Sequence, residues 1–243
     1  METVYFMKNN DHKNPYHLFF YMLSYLKRFD SGIHYYYPEC DNQMVESALN
    51  NLPKRFVREF TVRDNCKYLE TTTNFIERIE PVDESWIFQY IRGLYEHIWS
   101  QYKQIKGKYT YISRKKAAVR RIINEDAYLD DLKGLDISVH FMEDLSFIEQ
   151  IKLFAESEII TGPHGAAFSF AIFCKPQTLL YEIYRADNIK GHYAILANEC
   201  NLKYKRFHHI TDFNELTHDM TIDKQSYIDS LNELITFSRF SKI

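Results

Sequence analysis

The segment EIITGPHGAA, residues 158–167, carries more information about the fold than any other part of this chain. Its apolar first half predicts a buried strand at 158–161, and the small residues after Gly165 can begin a helix. Gly162 and Gly165 allow a tight turn in which backbone amides approach a ligand closely. Because the free N–H groups at a helix start carry partial positive charge, a strand–turn–helix unit of this kind suits a diphosphate.

Strand-like and helix-like stretches alternate on both sides of this segment through the second half of the chain. The predicted strands cover residues 108–113, 137–140, 158–161 and 178–183, and the predicted helices cover residues 122–133, 146–155, 166–174 and 189–200. A capping-box pattern, Ser146 with Glu149, marks the start of the second of these helices. Alternation with short connections predicts an α/β fold with a parallel, doubly wound sheet.

The first half of the chain is less regular. It predicts helices at 16–28, 42–51 and 83–104 and strands at 33–37 and 55–62. In the long helix, the apolar face is expected to carry the side chains Trp86, Tyr90, Leu94 and Ile98.

A domain junction is expected within residues 80–107. Residues 1–104 would form a first lobe and residues 105–222 a second. An amphipathic helix at 223–240, with Tyr227, Leu231 and Leu234 inward, could pack back on the first lobe. Two α/β lobes usually hold their ligand in the cleft between them.

Composition excludes several classes of protein. The chain has 243 residues, 45% of them hydrophobic and 26% charged, as in soluble globular proteins. A formal net charge of −3 does not provide the basic field of a nucleic-acid binder, so we expect no nucleic-acid partner. The basic run at 103–116 with Arg120 and Arg121 is the one stretch that could form such a surface. Only seven glycines are present, and no G-x-G-x-x-G or P-loop motif occurs.

Cysteine usage is typical of a reduced compartment, and hydropathy indicates whether a segment could span a membrane. The four cysteines lie far apart and form no C-x-x-C pair, so zinc-ribbon and thioredoxin chemistry are unsupported. The most apolar stretch, residues 16–26, falls short of the roughly 20 residues that span a bilayer. We therefore expect a cytoplasmic chain without a membrane span.

Basic side chains follow the strand predicted at 108–113. Since parallel strands end at the same edge of a sheet, Arg114 is expected near the Gly162–Gly165 turn. Guanidinium groups bind phosphate in a bidentate manner, which also makes Arg120 and Arg121 candidates. A solvated basic stretch remains the alternative interpretation.

Two further side chains are predicted to reach the same edge. His164 lies in the turn itself and could hydrogen-bond a phosphate or sugar oxygen, or simply cap the following helix. Glu182 ends the strand at 178–183, where a carboxylate can accept both hydroxyls of a ribose. A strand-end salt bridge is the alternative role for Glu182.

Taken together, these segments resemble glycosyltransferase family 61. The matching runs are ISR at 112–114, RRIINE at 120–125, LSFIEQIKLFAESEIITGPHGA at 145–166 and LLYEI at 179–183. A weaker likeness is NPYH at 14–17, which is similar to an N-terminal N-x-x-H segment of the family. The family includes plant xylosyl- and arabinosyltransferases and animal EGF-domain and dystroglycan O-GlcNAc transferases.

The resemblance implies a GT-B-like architecture of two Rossmann-like lobes, with residues 1–104 on the acceptor side and residues 105–222 binding the nucleotide sugar. It also implies a UDP-sugar donor substrate, a glycan or glycoprotein hydroxyl as acceptor, inversion at the anomeric carbon and no required metal or other cofactor. The donor-binding set would consist of Arg114, Arg120, Arg121, Gly162, His164, Gly165, Ala166, Ala167 and Glu182. A member without an anchor fits cytoplasmic glycan building, in the host cytoplasm if the source is a virus.

The sequence departs from the family pattern at two informative positions. Phe170 stands where the family loop commonly has Asn, so one polar contact to the donor or a neighbouring loop is lost or moved. Tyr21 stands where some members carry an acid.

Inverting transfer needs a base on the acceptor hydroxyl. His17 is the first candidate, with Asp11 as its orienting partner or rival, although His17 could equally be a partly buried helix residue. No D-x-D motif is present, so side chains and dipoles would have to stabilise the departing diphosphate. A xylose donor is slightly preferred over N-acetylglucosamine. The alternative function is a catalytically silent module that binds a nucleotide sugar.

Overall fold

The computed structural model describes residues 3–5, 15, 17–29, 32–37, 42–59, 86–185 and 191–240. Two parallel sheets form its framework. The first contains three strands in the order β1 (Thr3–Tyr5), β2 (Ile33–Tyr36) and β3 (Phe56–Glu59).

The second sheet is parallel throughout and contains five strands. They are β4 (Tyr109–Ser113), β5 (Ile137–Phe141), β6 (Ile159–Pro163), β7 (Leu179–Ile183) and β8 (Lys203–Phe207), in the spatial order β5-β4-β6-β7-β8. Every residue of the central strands β4, β6 and β7 is buried, as expected for parallel strands that are covered on both faces. The predicted α/β fold with a parallel sheet is thus confirmed.

Helices cover these sheets. The α-helices are α1 (Gln43–Asn50), α2 (Trp86–Leu94), α3 (Glu96–Trp99), α4 (Leu129–Gly134), α5 (Phe147–Glu156), α6 (His192–Glu199) and α7 (Lys224–Phe240). Tighter 3₁₀ turns cover Leu23–Phe29, Glu125–Tyr128, Met142–Asp144 and Ala166–Phe173, and His17–Met22 forms a π-helix. The capping box at the start of α5 is confirmed, because Ser146 Oγ accepts from Glu149 N and Glu149 Oε2 accepts from Ser146 N.

Alternate residues of the β4–β8 sheet enter two separate hydrophobic cores. On one face Ile112, Ile160 and Leu180 join a core that also holds residues of the first half of the chain. Phe19 from that half lies 5.2 Å from Phe170 and 5.8 Å from Phe173 between ring centroids. Aromatic rings from both halves therefore pack directly against each other, while the GT-B-like division into lobes at 1–104 and 105–222 stays a prediction.

The opposite face is covered by α4, α7 and the turn Glu125–Tyr128. Tyr227 of α7 lies 5.6 Å from Tyr128 and 5.1 Å from Phe207 between ring centroids. Helix α7 thus packs on the β4–β8 sheet. The core that it enters holds no described residue of 1–104. This packing differs from the expectation that the helix could pack back on the first lobe. Its inward residues include Ile235, whereas Leu234 is only half-buried.

The long helix expected at 83–104 is broken in the described part. Helices α2 and α3 meet at Tyr95, whose hydroxyl donates to Ala48 O at 3.0 Å. Gly93 weakens the helix just before this break. The buried face carries Ile87, Phe88, Ile91, Leu94 and Ile98, so Trp86 and Tyr90 lie beside it rather than on it.

Besides β1, three strands were not expected from the sequence. They are β8 and the antiparallel pair β9 (Ile210–Phe213) and β10 (Met220–Ile222). Strand β8 reads KYKRF and lies at the edge of the sheet, where two lysines face solvent. Because edge strands tolerate charges of this kind, β8 lacks the apolar run that identified its neighbours.

Candidate functional site

The order of the strands creates a switch point in the β4–β8 sheet. From β4 the chain moves outward to β5 and then crosses back to β6, which pairs with the other side of β4. In open α/β sheets, ligands bind outside the carboxyl ends of the strands at such a point. Arg114 follows β4 and His164 follows β6, so both residues flank this crevice.

Gly162 brings β6 close to β4 at this edge. Its φ is +149°, and a Cβ atom there would lie 2.4 Å from the carbonyl oxygen of Ile112. A side chain would therefore be strained by its backbone conformation and would also collide with the neighbouring strand. Gly162 has a structural role in forming the crevice.

Gly165 makes room for an arginine. Its backbone is extended, but a Cβ atom would lie 2.2 Å from Nη1 of Arg114 and 2.9 Å from Cζ. The guanidinium group thus lies directly against the turn. This confirms the prediction that Arg114 comes near the Gly162–Gly165 segment.

Arg114 is only partly hydrogen-bonded. Nη2 donates to Val119 O at 3.0 Å, whereas the buried Nε has no partner among the described residues. Burial lowers the pKa of Arg114, and the nearby positive charge of Arg120 lowers it further. Because arginine remains protonated in proteins, the crevice holds a positive charge with an unsatisfied N–H donor, which suits an anionic ligand.

A buried carboxylate positions His164. Glu182 is 1% exposed, and its Oε1 lies 2.5 Å from Nδ1 of His164. The ring of His164 lies 4.3 Å from Tyr184 and 5.3 Å from Tyr193 between centroids. With Nδ1 engaged, Nε2 is the ring nitrogen left for a ligand.

The hydrogen bonds of Glu182 extend to β8. Its second oxygen, Oε2, accepts from the hydroxyl of Tyr204, and Arg206 Nε donates to that hydroxyl at 2.7 Å. Burial raises the pKa of Tyr204, and the charge of Glu182 raises it further. Because both oxygens of Glu182 are engaged inside the protein, its placement does not favour the predicted direct contact with ribose.

Sequence reasoning missed Tyr193, Tyr204 and Arg206. Tyr193 donates from its hydroxyl to Gly165 O at 2.8 Å and thereby supports the turn. Arg206 is the register partner of Glu182 on β8. The signal that could have found Tyr204 and Arg206 was the alternation in KYKRF, which places both side chains on one face of the strand.

Arg120 and Arg121 differ in their environments. Arg120 has a φ of 60° and donates its backbone N–H to Thr217 O at 2.9 Å. The side chain of Arg121 donates to Asp219 Oδ2 at 2.6 Å, and its backbone N–H donates to Oδ1 at 2.8 Å. The side-chain hydrogen bond lowers the pKa of Asp219 to about 2. Arg121 is therefore held in an ion pair, unlike Arg114.

A cavity of about 430 Å³ adjoins Arg114. Its wall includes Asn42, Gln43, Arg114, Glu143, Ala166 and Ala167. Two members of the predicted donor-binding set, Ala166 and Ala167, thus face the same space as Arg114. The volume lies in the range typical of small-molecule sites.

Other residues that the sequence analysis discussed are not placed at the crevice by the structure. The backbone of His17 begins the π-helix, but its side chain and the whole of Asp11 lie outside the described residues. Phe170 is fully buried and packs on Phe19 and Phe147, so this position belongs to the core rather than to a ligand.

The residues that the structure describes lack two features. They contain no cluster of three or more His, Cys, Asp or Glu side chains suited to a metal ion. None of their helices is long and apolar enough to cross a bilayer.

The fold and the site define an α/β protein with a positively charged crevice at the switch point of a parallel sheet. This arrangement is consistent with a glycosyltransferase fold. The sequence profile described as Glycosyltransferase 61 matches residues 16–181, more than half of the chain. The chain belongs to glycosyltransferase family 61.

Two curated proteins show weaker likeness. A beta-1,2-xylosyltransferase of Arabidopsis thaliana is 23% identical over 101 residues, which cover 36% of this chain and 19% of that protein. An EGF domain-specific O-linked N-acetylglucosamine transferase of Drosophila melanogaster is 28% identical over 88 residues, which cover 35% of this chain and 17% of that protein. Each match thus spans less than a fifth of the relative.

Proposed function

We propose that this chain is an inverting glycosyltransferase that moves a sugar from a UDP-sugar to a hydroxyl of a glycan or glycoprotein. The observation that carries the proposal is the contact of the Arg114 guanidinium with Gly165 at the switch point. Family membership supports the reaction class, and the cavity beside Arg114 supports binding of a substrate of small-molecule size.

The diphosphate would bind beside the Arg114 guanidinium, at the turn that contains Gly165. The unsatisfied Nε of Arg114 and the amides that begin at Gly165 can donate to its oxygens, and Arg120 adds a second positive charge. These groups would stabilise the charge that develops on the leaving UDP, so we propose that no metal is required.

With its Nδ1–H directed at Glu182, His164 would accept at Nε2 a hydrogen bond from a sugar hydroxyl of the donor. In this role Glu182 becomes a positioning residue, because its contact with Nδ1 fixes the orientation of the ring. The guanidinium of Arg121 is held by Asp219 and would not contact the diphosphate.

The names of the two relatives point to different sugars, xylose and N-acetylglucosamine. We propose xylose as the slightly preferred donor. A GT-B-like arrangement of two lobes, with the acceptor bound by residues 1–104, belongs to the same proposal.

A panel of nucleotide sugars tests the proposal. The chain is incubated with UDP-xylose, UDP-N-acetylglucosamine and other UDP-sugars, and released UDP is measured. Release above a denatured control from one of the donors is expected. Binding of UDP without release from any donor would favour the silent binding module instead.

A further inference from the structure

We infer that Glu143 takes the proton from the acceptor hydroxyl during transfer. The inference rests on the proposed function and adds a catalytic residue to it. Glu143 is the single carboxylate among the described residues that line the cavity beside Arg114.

The pairing of β4 with β5 places Glu143 close to Arg114. Ser113 and Phe141 are register partners at the carboxyl ends of these strands, and the two chain segments leave the sheet side by side. Glu143 lies in the 3₁₀ turn Met142–Asp144 that directly follows β5. Burial has the largest influence on Arg114 and lowers its pKa, whereas the negative charge of Glu143 raises that pKa. The influence of Glu143 indicates that the two side chains are near each other.

Glu143 is also free to react. It is exposed, and no hydrogen bond or ion pair joins its side chain to another described residue. Its neighbour Asp144 has a different environment, because both of its oxygens accept from Lys116 Nζ at 2.6 and 2.5 Å. A general base must have an oxygen within hydrogen-bonding reach of the proton that it removes. Glu143 lines the cavity in which the acceptor hydroxyl is proposed to meet the donor.

The other carboxylates near the carboxyl ends of β4 and β7 are engaged inside the protein. Glu182 accepts from His164 and Tyr204. Glu125 is 2% exposed and accepts from Tyr111 and Ser113. Neither can reach an acceptor in the cavity without losing these hydrogen bonds.

The proposed step balances as a single displacement. The acceptor oxygen attacks the anomeric carbon and forms the new glycosidic bond, while the bond from that carbon to the diphosphate oxygen breaks. UDP leaves with the bonding electrons beside Arg114, and the acceptor proton passes to a carboxylate oxygen of Glu143. With water as acceptor, the same step releases the free sugar.

Four chains test the inference: the unaltered protein, Glu143→Gln, Asp144→Asn and His17→Ala. Calorimetry measures UDP binding, and UDP release is measured from UDP-xylose and UDP-N-acetylglucosamine with water as acceptor. Glu143→Gln is expected to bind UDP at least as tightly as the unaltered chain, because it removes a negative charge near the diphosphate. Its UDP release should fall by about 100-fold or more, the usual range for loss of a general base. Asp144→Asn, which changes the adjacent surface carboxylate, should release UDP at the unaltered rate.

Each other result overturns the inference. The inference is wrong if Glu143→Gln releases UDP at a rate within about threefold of the unaltered chain. It is also wrong if UDP release falls in His17→Ala alone, a result that would support His17 as the base. An equal loss of UDP binding and release would assign Glu143 to donor binding instead. UDP binding without release in the unaltered chain would remove the catalytic step but leave a donor-binding site. Absence of UDP binding in the unaltered chain would reject the proposed function and this inference with it.

Discussion

Glu182 Oε1 lies 2.5 Å from Nδ1 of His164, although the two residues belong to different segments at the ends of β7 and β6. The carboxylate is buried and the imidazole is partly exposed. A carboxylate at Nδ1 selects the tautomer that carries a proton there and leaves Nε2 for a ligand. The orientation of His164 is therefore set by the sheet and not by the turn alone.

Removing the hydroxyl of Tyr204 should weaken donor binding indirectly. In Tyr204→Phe, Oε2 of Glu182 loses a donor while buried, so His164 is held less firmly. We expect UDP affinity measured by calorimetry to fall by about threefold to tenfold, and by more in His164→Ala. Tyr181→Phe is the control, because the Tyr181 hydroxyl bonds Ser230 instead. Equal UDP affinities in Tyr204→Phe and Tyr181→Phe would contradict the positioning role.

Substitution of the two glycines of the turn should affect different properties, UDP binding for Gly165 and stability for Gly162. Gly165→Ala places a methyl group against the Arg114 guanidinium, a flexible group that can move aside, so the fold should persist while UDP binding weakens. Gly162→Ala meets the backbone of Ile112 at a positive φ and should destabilise the protein by about 1 kcal/mol or more. Urea unfolding and UDP calorimetry separate the two effects. A Gly165→Ala protein that binds UDP normally would argue against a ligand beside Arg114.

The ion pair of Arg121 with Asp219 should contribute to stability in a pH-dependent way. The pKa of Asp219 is lowered to about 2, so the stabilisation is complete above the carboxyl group's usual pKa and is lost as the pH falls toward 2. Unfolding midpoints of the unaltered chain and of Asp219→Asn should therefore differ at neutral pH and converge on acidification. A difference that is constant from pH 7 to pH 2.5 would show that this ion pair is not responsible.

Transfer should not depend on a divalent cation. Arg114 and Arg120 lie where the leaving diphosphate is proposed to bind, and the sequence has no D-x-D motif. UDP release is measured in EDTA and again with added manganese. We expect the same rate in both conditions. Complete loss in EDTA that manganese restores would contradict this account of leaving-group stabilisation.

Local sequence patterns predicted the framework of the site. The apolar runs identified β4, β6 and β7, and the capping box of Ser146 with Glu149 identified the start of α5. The rule that parallel strands end at one edge was enough to bring Arg114 to Gly165.

Contacts between distant segments could not be predicted in this way. Whether Glu182 faces a ligand or the interior depends on Tyr204, which lies on a strand that the sequence did not reveal. Arg121 has the same local pattern as a phosphate-binding arginine, and only Asp219, 98 positions later in the chain, gives it another partner. Glu143 could not be predicted as a site residue, because the cavity that it lines is formed by segments as far apart as Asn42 and Ala167.

The most direct measurement is the affinity of UDP for the unaltered chain, Arg114→Ala and Arg121→Ala, determined by calorimetry in the same buffer. Both substitutions remove a guanidinium group, but only that of Arg114 lies against Gly165 with an unsatisfied donor. We predict that Arg114→Ala raises the Kd for UDP by about tenfold or more, the expected loss of a charge-assisted hydrogen bond, while Arg121→Ala leaves it unchanged. Unchanged UDP affinity in Arg114→Ala, with the fold intact by circular dichroism, would contradict the assignment of the switch-point crevice as the donor site.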